Sequence, residues 1–167
     1  MATKTNTAVK LELGLDEKSV ADVVSILRVL LADEFVLYTK LRNYHWNVTG
    51  PNFRELHLLF EEQYDELAEI IDETAERIRQ YGETAPGTLE EFKELTRLTE
   101  EPGVSPGWQT MVGNACADHE ALVRFLREDI ERIDDEADDV GVEDLLTGYL
   151  QQHQKMAWLL RAHLENA

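Results

Sequence analysis

The chain predicts an all-α fold: a four-helix bundle with one long crossover that carries a short helix. Three observations predict it. Apolar residues recur at threes and fours over four long stretches. No stretch of useful length alternates apolar and polar residues as a strand would. The connections between the four stretches are short, long and short, in that order. At 167 residues the chain has the usual size of one domain. That domain is assigned to residues 16–167, after a flexible N-terminal tail of residues 1–15.

The first helix runs from about Glu17 to Val48, with Val20, Val23, Val24, Leu27, Leu31, Tyr38, Leu41 and His45 on its apolar phase. Gly50-Pro51 breaks it. Asn52 then offers an N-cap, with Glu55 three residues on, and a second helix continues to about Tyr81. Gly82, Pro86 and Gly87 stop that one. A third follows Pro106-Gly107 and carries Trp108, Met111, Val112, Ala115, His119, Leu122, Leu126, Ile130 and Ile133. The fourth begins near Val142 and holds Leu146, Tyr149, Leu150, His153, Met156, Leu160 and His163. Short links, at Gly50-Pro51 and at Asp139-Val140-Gly141, make antiparallel neighbours. Between the two pairs lie about 25 residues, with a short helical pattern at Thr88 to Leu98. Helices of about 28 residues are roughly 42 Å long, and a link of this length spans that height.

Hydrophobic residues make up 43% of the chain, which excludes a disordered protein. Its 34 acids against 16 bases give a formal net charge of −18. Such a body repels nucleic acid and anionic membrane and attracts cations. Cys116 is the only cysteine, so no intrachain disulfide and no thiolate zinc cluster can form. Its place in an apolar phase predicts a buried, inert thiol. No apolar run reaches the roughly 18 residues of a membrane span, and the N-terminus lacks a secretory apolar region. A soluble cytoplasmic protein is expected.

Chemistry concentrates on the second helix. His57 and Glu61 are four residues apart, as are Asp72 and Glu76, so each pair projects from one face about a turn apart. Histidine nitrogen with carboxylate oxygen suits non-haem iron rather than a structural zinc, which favours thiolates. Yet fifteen residues separate His57 from Asp72, roughly 22 Å along the axis. One metal centre cannot take ligands from both ends of one helix. Two antiparallel copies related by a two-fold axis bring the 57/61 end of one chain to the 72/76 end of the other, making two equal sites. His45, across the short link, approaches the His57 end. An intersubunit di-iron site follows from the geometry.

An intrachain di-iron centre of the usual four-helix kind needs Glu-x-x-His on two helices. The residues three before the five histidines are Arg42, Arg54, Cys116, Leu150 and Leu160, so that design is excluded. His-Glu-x-x-His is also missing, which removes a zinc-protease reading. His119, His153 and His163 fall in apolar phases and read as hydrogen-bonded core or interface histidines.

The run from Leu41 to Phe53, Leu-Arg-Asn-Tyr-His-Trp-Asn-Val-Thr-Gly-Pro-Asn-Phe, followed by Leu56-His57 and Asp72-Glu73-x-x-Glu76-Arg77, resembles the Dps-type mini-ferritins. These are the starvation-induced DNA-binding protein family. The likeness extends to Glu143-Asp144-Leu145-Leu146 and His153-Gln154-Lys155-x-x-Trp158-x-Leu160-Arg161-Ala162. It implies a ferritin-like topology and a hollow homo-oligomer of twelve subunits. It also implies oxidation of Fe(II), typically by hydrogen peroxide, and storage of the ferric product. By position, His45, His57, Asp72 and Glu76 correspond to ferroxidase ligands. The family commonly has Asp four residues after the second histidine, where this chain has Glu61. Trp46 matches the tryptophan beside the family's site, where it takes up stray oxidising equivalents; simple packing is its other reading. The resemblance also implies iron-entry pores lined by acids near the last link, with Asp144 first, then Glu143 and Asp139.

DNA binding in such proteins often uses a Lys- or Arg-rich tail, and here the tail offers only Lys4 and Lys10. Two lysines against an acidic shell argue against it. The alternatives to a ferroxidase and iron store are a nucleoid-binding structural oligomer with little ferroxidase activity, and a helical oligomer with a vestigial metal site.

Overall fold

A computed structural model describes residues 12–165, and every predicted helix is present. They are α1 (Glu17–Asn47), α2 (Phe53–Gln80), the short crossover helix α3 (Leu89–Leu95), α4 (Trp108–Glu136) and α5 (Val140–Leu164). Among the described residues there is no strand. Lys4, Lys10 and most of the predicted tail lie outside the described residues; Leu15, just before α1, packs partly against the core. No described helix is long and apolar enough to cross a membrane.

Local chemistry sets the helix ends. Asp16 caps α1 by accepting the Ser19 N–H at 2.7 Å, and this bond holds its carboxyl below the ordinary aspartate value. Thr88 and Glu91 form a reciprocal capping box on α3. The box expected at Asn52 and Glu55 is not made. Asn52 sits at φ −101°, ψ 24°, outside the extended conformation a capping side chain needs, and makes no side-chain cap bond. A backbone turn starts α2 instead, with Phe53 N–H donating to Gly50 O at 3.1 Å. Gly50 has φ +116°, and a Cβ there would lie 3.1 Å from Trp108 Cδ1, so both backbone and space call for glycine.

The apolar phases close on one core. Leu27, Leu30, Leu37 and Leu41 of α1 meet Leu56, Phe60, Leu67 and Ile78 of α2, all fully buried. Val112, Leu122, Leu126 and Ile133 of α4, with Val142, Leu146 and Leu160 of α5, supply the other half. α1 packs on α2, α4 on α5, and α1 also on α3 and α4. Cys116 is buried as predicted, and burial pushes its thiol above the ordinary value.

Ion pairs fasten the crossover to this core. Buried Asp33 of α1 accepts from Thr96 Oγ1 at 2.8 Å, Arg97 N at 2.5 Å and Arg97 Nε at 2.7 Å. Arg97 also pairs with Asp129 of α4 at 3.0 Å and lies 4.3 Å over the Phe125 ring. The end of the crossover is thereby pinned to both helix pairs.

A polar chain crosses the centre of the bundle. Glu34 of α1, His153 of α5 and His119 of α4 are fully buried and joined end to end. A carboxylate oxygen only accepts, so His153 donates through Nε2–H to Glu34 Oε1 at 2.9 Å. His119 Nδ1–H then donates to His153 Nδ1 at 2.8 Å, leaving His119 Nε2 without a partner. Tyr149, one turn before His153, donates its hydroxyl to Glu73 at 3.0 Å.

This chain makes the fold acid-sensitive. Burial first, and then the electrostatic cost of a second charge beside His153, hold His119 well below the ordinary histidine value of 6.5. The unfolded chain therefore takes up this proton first. The stabilisation from keeping His119 neutral is complete above about pH 6.5 and is lost as pH falls below it. Thermal melts should show wild type losing stability between pH 7 and 5 more steeply than His119→Gln; parallel slopes would rule the histidine out as the cause.

Candidate metal centre

The last turn of α1 and the first turns of α2 meet across the five-residue link, and this brings His45 and His57 face to face. Their rings stack at 3.7 Å with an interplanar angle of 20°. Each donates its Nδ1–H to the other's backbone: His45 to His57 O at 2.8 Å, and His57 to His45 O at 2.9 Å. A carbonyl can only accept, so both neutral rings carry hydrogen on Nδ1 and a lone pair on Nε2. That tautomer is the one a metal ligand needs, and a backbone carbonyl behind the ring is its usual support.

Glu61, one turn beyond His57 on α2, completes a group of three. One ligand atom from each of His45, His57 and Glu61 lies within 4.8 Å of the others. His45 is buried, whereas His57 and Glu61 are half-buried and open to the outside of the chain. Two imidazoles and a carboxylate are a borderline-to-hard donor set that fits Fe(II), with room for further oxygen ligands.

Asp72 and Glu76 do not join this group within the chain. Both are exposed on the same unbroken helix α2, fifteen or more residues beyond His57. Among the described residues, the His45–His57–Glu61 group is the one cluster of three such ligands.

The surroundings are aromatic. Trp46 is 65% exposed, with Arg42 stacked 5.4 Å from its ring, and Phe53 and Leu58 are also exposed beside the histidines. Tyr64 donates to Glu61 Oε1 at 3.3 Å and meets the His45 ring edge-on at 5.3 Å. Sequence reasoning missed Tyr64, although residues 57, 61 and 64 share one helix face and that spacing was the available signal. It also missed Glu34. An acid between Leu31 and Leu37 in an apolar phase, facing two core histidines, was the clue.

The acids near the last link have distinct surroundings. Asp144 is exposed. Glu143 is half-buried, with Oε1 unpartnered. Asp139 caps α5 by accepting Gly141 N–H at 3.1 Å and Val142 N–H at 3.2 Å, and it also accepts the Tyr81 hydroxyl. Its neighbour Asp138 has φ +52°, and the N–H groups of Ala137 and Asp138 both donate to Ile133 O to end α4.

Four helices, one long crossover and a histidine–carboxylate cluster at the α1–α2 turn define a ferritin-like protein. Residues 24–167 match the ferritin-like domain family. An uncharacterized low temperature-induced protein of Nostoc sp. is 42% identical over 93% of this chain and 87% of its own length. DNA protection during starvation protein 2 of Bacillus anthracis is 39% identical over 85% of this chain and 96% of its own. The crystal structure of a Dps protein from Vibrio cholerae O1 superposes with a TM-score of 0.85 at 29% identity, covering 94% of this chain and 98% of that one. That protein is described as a member of a broad superfamily of ferritin-like diiron-carboxylate proteins. The present chain belongs to the Dps family of ferritin-like proteins.

Proposed function

We propose that this protein is a ferroxidase and iron store that oxidises Fe(II) with hydrogen peroxide at di-iron sites shared between subunits. One observation carries the reading: His45 and His57 lock each other's Nδ1, so both present a free Nε2 beside Glu61. His45, His57 and Glu61 of one chain face Asp72 and Glu76 of another. The histidines hold ferrous iron, and the carboxylates offset the charge gained on oxidation. Two ferrous ions each give up one electron, and peroxide accepts both with two protons to leave two waters. Trp46, exposed and next to His45 in sequence, takes up stray oxidising equivalents on this reading.

A second copy accounts for what one chain leaves open. His57 and Glu61 are half-buried, and Trp46, Phe53, Leu58, Asp72 and Glu76 are exposed in the single chain. Antiparallel pairing about a two-fold axis covers them, and such dimers close into a shell of twelve. Twelve copies at −18 each carry a formal charge of −216, so cations favour assembly and low ionic strength weakens it. Purified protein given Fe(II) and peroxide should elute as a particle of about 230 kDa, twelve chains of 19.2 kDa, with ferric iron retained. A monomer at moderate salt, or iron left wholly outside the protein fraction, refutes the proposal.

Iron enters by the acids of the α4–α5 link. Repeated around a three-fold axis, exposed Asp144 and half-buried Glu143 form rings of carboxylate that draw in cations. Asp139, engaged as a cap, shapes the link that carries them. Asp144→Asn should slow uptake several-fold at low Fe(II) and little at saturation; equal rates across that range return these acids to solvated surface.

A further inference from the structure

Tyr64 touches the metal cluster at two of its three members, and its own position is fixed from several sides. Its hydroxyl donates to Glu61 Oε1 at 3.3 Å, and its ring lies edge-on to His45, 5.3 Å between centroids at 88°. The Arg42 guanidinium sits 4.8 Å over that ring. Arg42 is itself fixed by a 2.7 Å bond to the Tyr38 hydroxyl. Tyr38 meets Tyr64 edge to face at 6.0 Å and 85°. Tyr64 is 8% exposed, so this packing leaves its hydroxyl in one place. A phenol hydroxyl is both donor and acceptor, and against a carboxylate oxygen it donates.

Glu61 needs such a partner. A glutamate has one more rotatable bond than aspartate, and a half-buried one samples several orientations, only some of which aim an oxygen at the histidines. We propose that Tyr64 is a positioning residue of the metal centre: its hydroxyl holds one oxygen of Glu61 and thereby turns the carboxylate toward the Nε2 atoms of His45 and His57. Tyr64 itself binds no metal. The inference rests on the proposed metal centre and adds to it the residue that sets the carboxylate's orientation. Loss of such a supporting hydrogen bond lowers metal affinity by about 10–100-fold.

Visible absorption on titrating Co(II) into the metal-free oligomer tests this without any turnover. Wild type should develop a Co(II) band that His57→Ala abolishes. Tyr64→Phe, which keeps the ring and its packing, should weaken Co(II) binding by about tenfold. In a Glu61→Ala background the same substitution should change affinity by less than about twofold, because the hydroxyl has nothing left to hold. Unchanged affinity in Tyr64→Phe overturns the proposal. So does an equal loss in both backgrounds, which marks a general packing defect. Absence of a His57-dependent band in wild type overturns the metal-centre reading, and the role of Tyr64 falls with it.

Discussion

Peroxide-driven oxidation of Fe(II) should collapse in His57→Ala and in Asp72→Ala, and co-expressing the two variants should restore part of it. Each substitution alone should damage every site if, as proposed, each site takes His57 from one chain and Asp72 from the other. In a random mixture of the two variants, about one site in four receives both ligands intact. Activity should therefore recover to about a quarter of wild type from a background lowered by more than the 10–100-fold typical of losing a supporting partner. Both variants should still assemble, since neither side chain is part of the core. Stopped-flow oxidation rates on the co-purified oligomer check this. An intrachain site predicts no recovery at all, and wild-type rates in His57→Ala would remove the cluster from the chemistry.

Asp33→Ala is the substitution expected to cost the fold most. Asp33 is fully buried and accepts three hydrogen bonds from the crossover, two of them from Arg97. Removing it leaves the Arg97 guanidinium with only Asp129 and the Phe125 face. Breaking a buried pair from one side costs about 3–5 kcal/mol. The effect belongs to the pair, so Asp33→Ala with Arg97→Ala should destabilise by less than the sum of the two single changes. Denaturant unfolding at pH 7 measures this; additive losses would mean the two side chains act separately. The consequence reaches the whole bundle, because this contact ties the long crossover to α1 and α4.

The sequence made the architecture legible because the helices are long and their apolar periods unbroken. Gly50-Pro51 and Pro106-Gly107 stand where α2 and α4 begin, and the short helix lies within the helical pattern of Thr88 to Leu98, at Leu89–Leu95. Asn52 misled for a local reason: the tight turn at Gly50 leaves it in a conformation from which its side chain does not cap. At the histidine–carboxylate cluster, helical spacing alone put His57 and Glu61 on one face. The reciprocal Nδ1–carbonyl bonds of His45 and His57 could not be read in this way. They depend on how closely two backbones approach across the link, and residue type carries no record of that distance. Glu34 and Asp33 were hidden by a general expectation that acids face water, which holds until a buried partner such as His153 or Arg97 is present.

On the proposed function, one metal centre is built by two chains. Its most direct measurement is an anomalous difference map at the iron edge from crystals soaked anaerobically in Fe(II). A peak is expected beside His45, His57 and Glu61 of one protomer, with Asp72 and Glu76 from a second protomer reaching the same density. Strong peaks confined to the interior of a single bundle, near Glu34 and His153, or no ordered iron at the histidine pair, would contradict it.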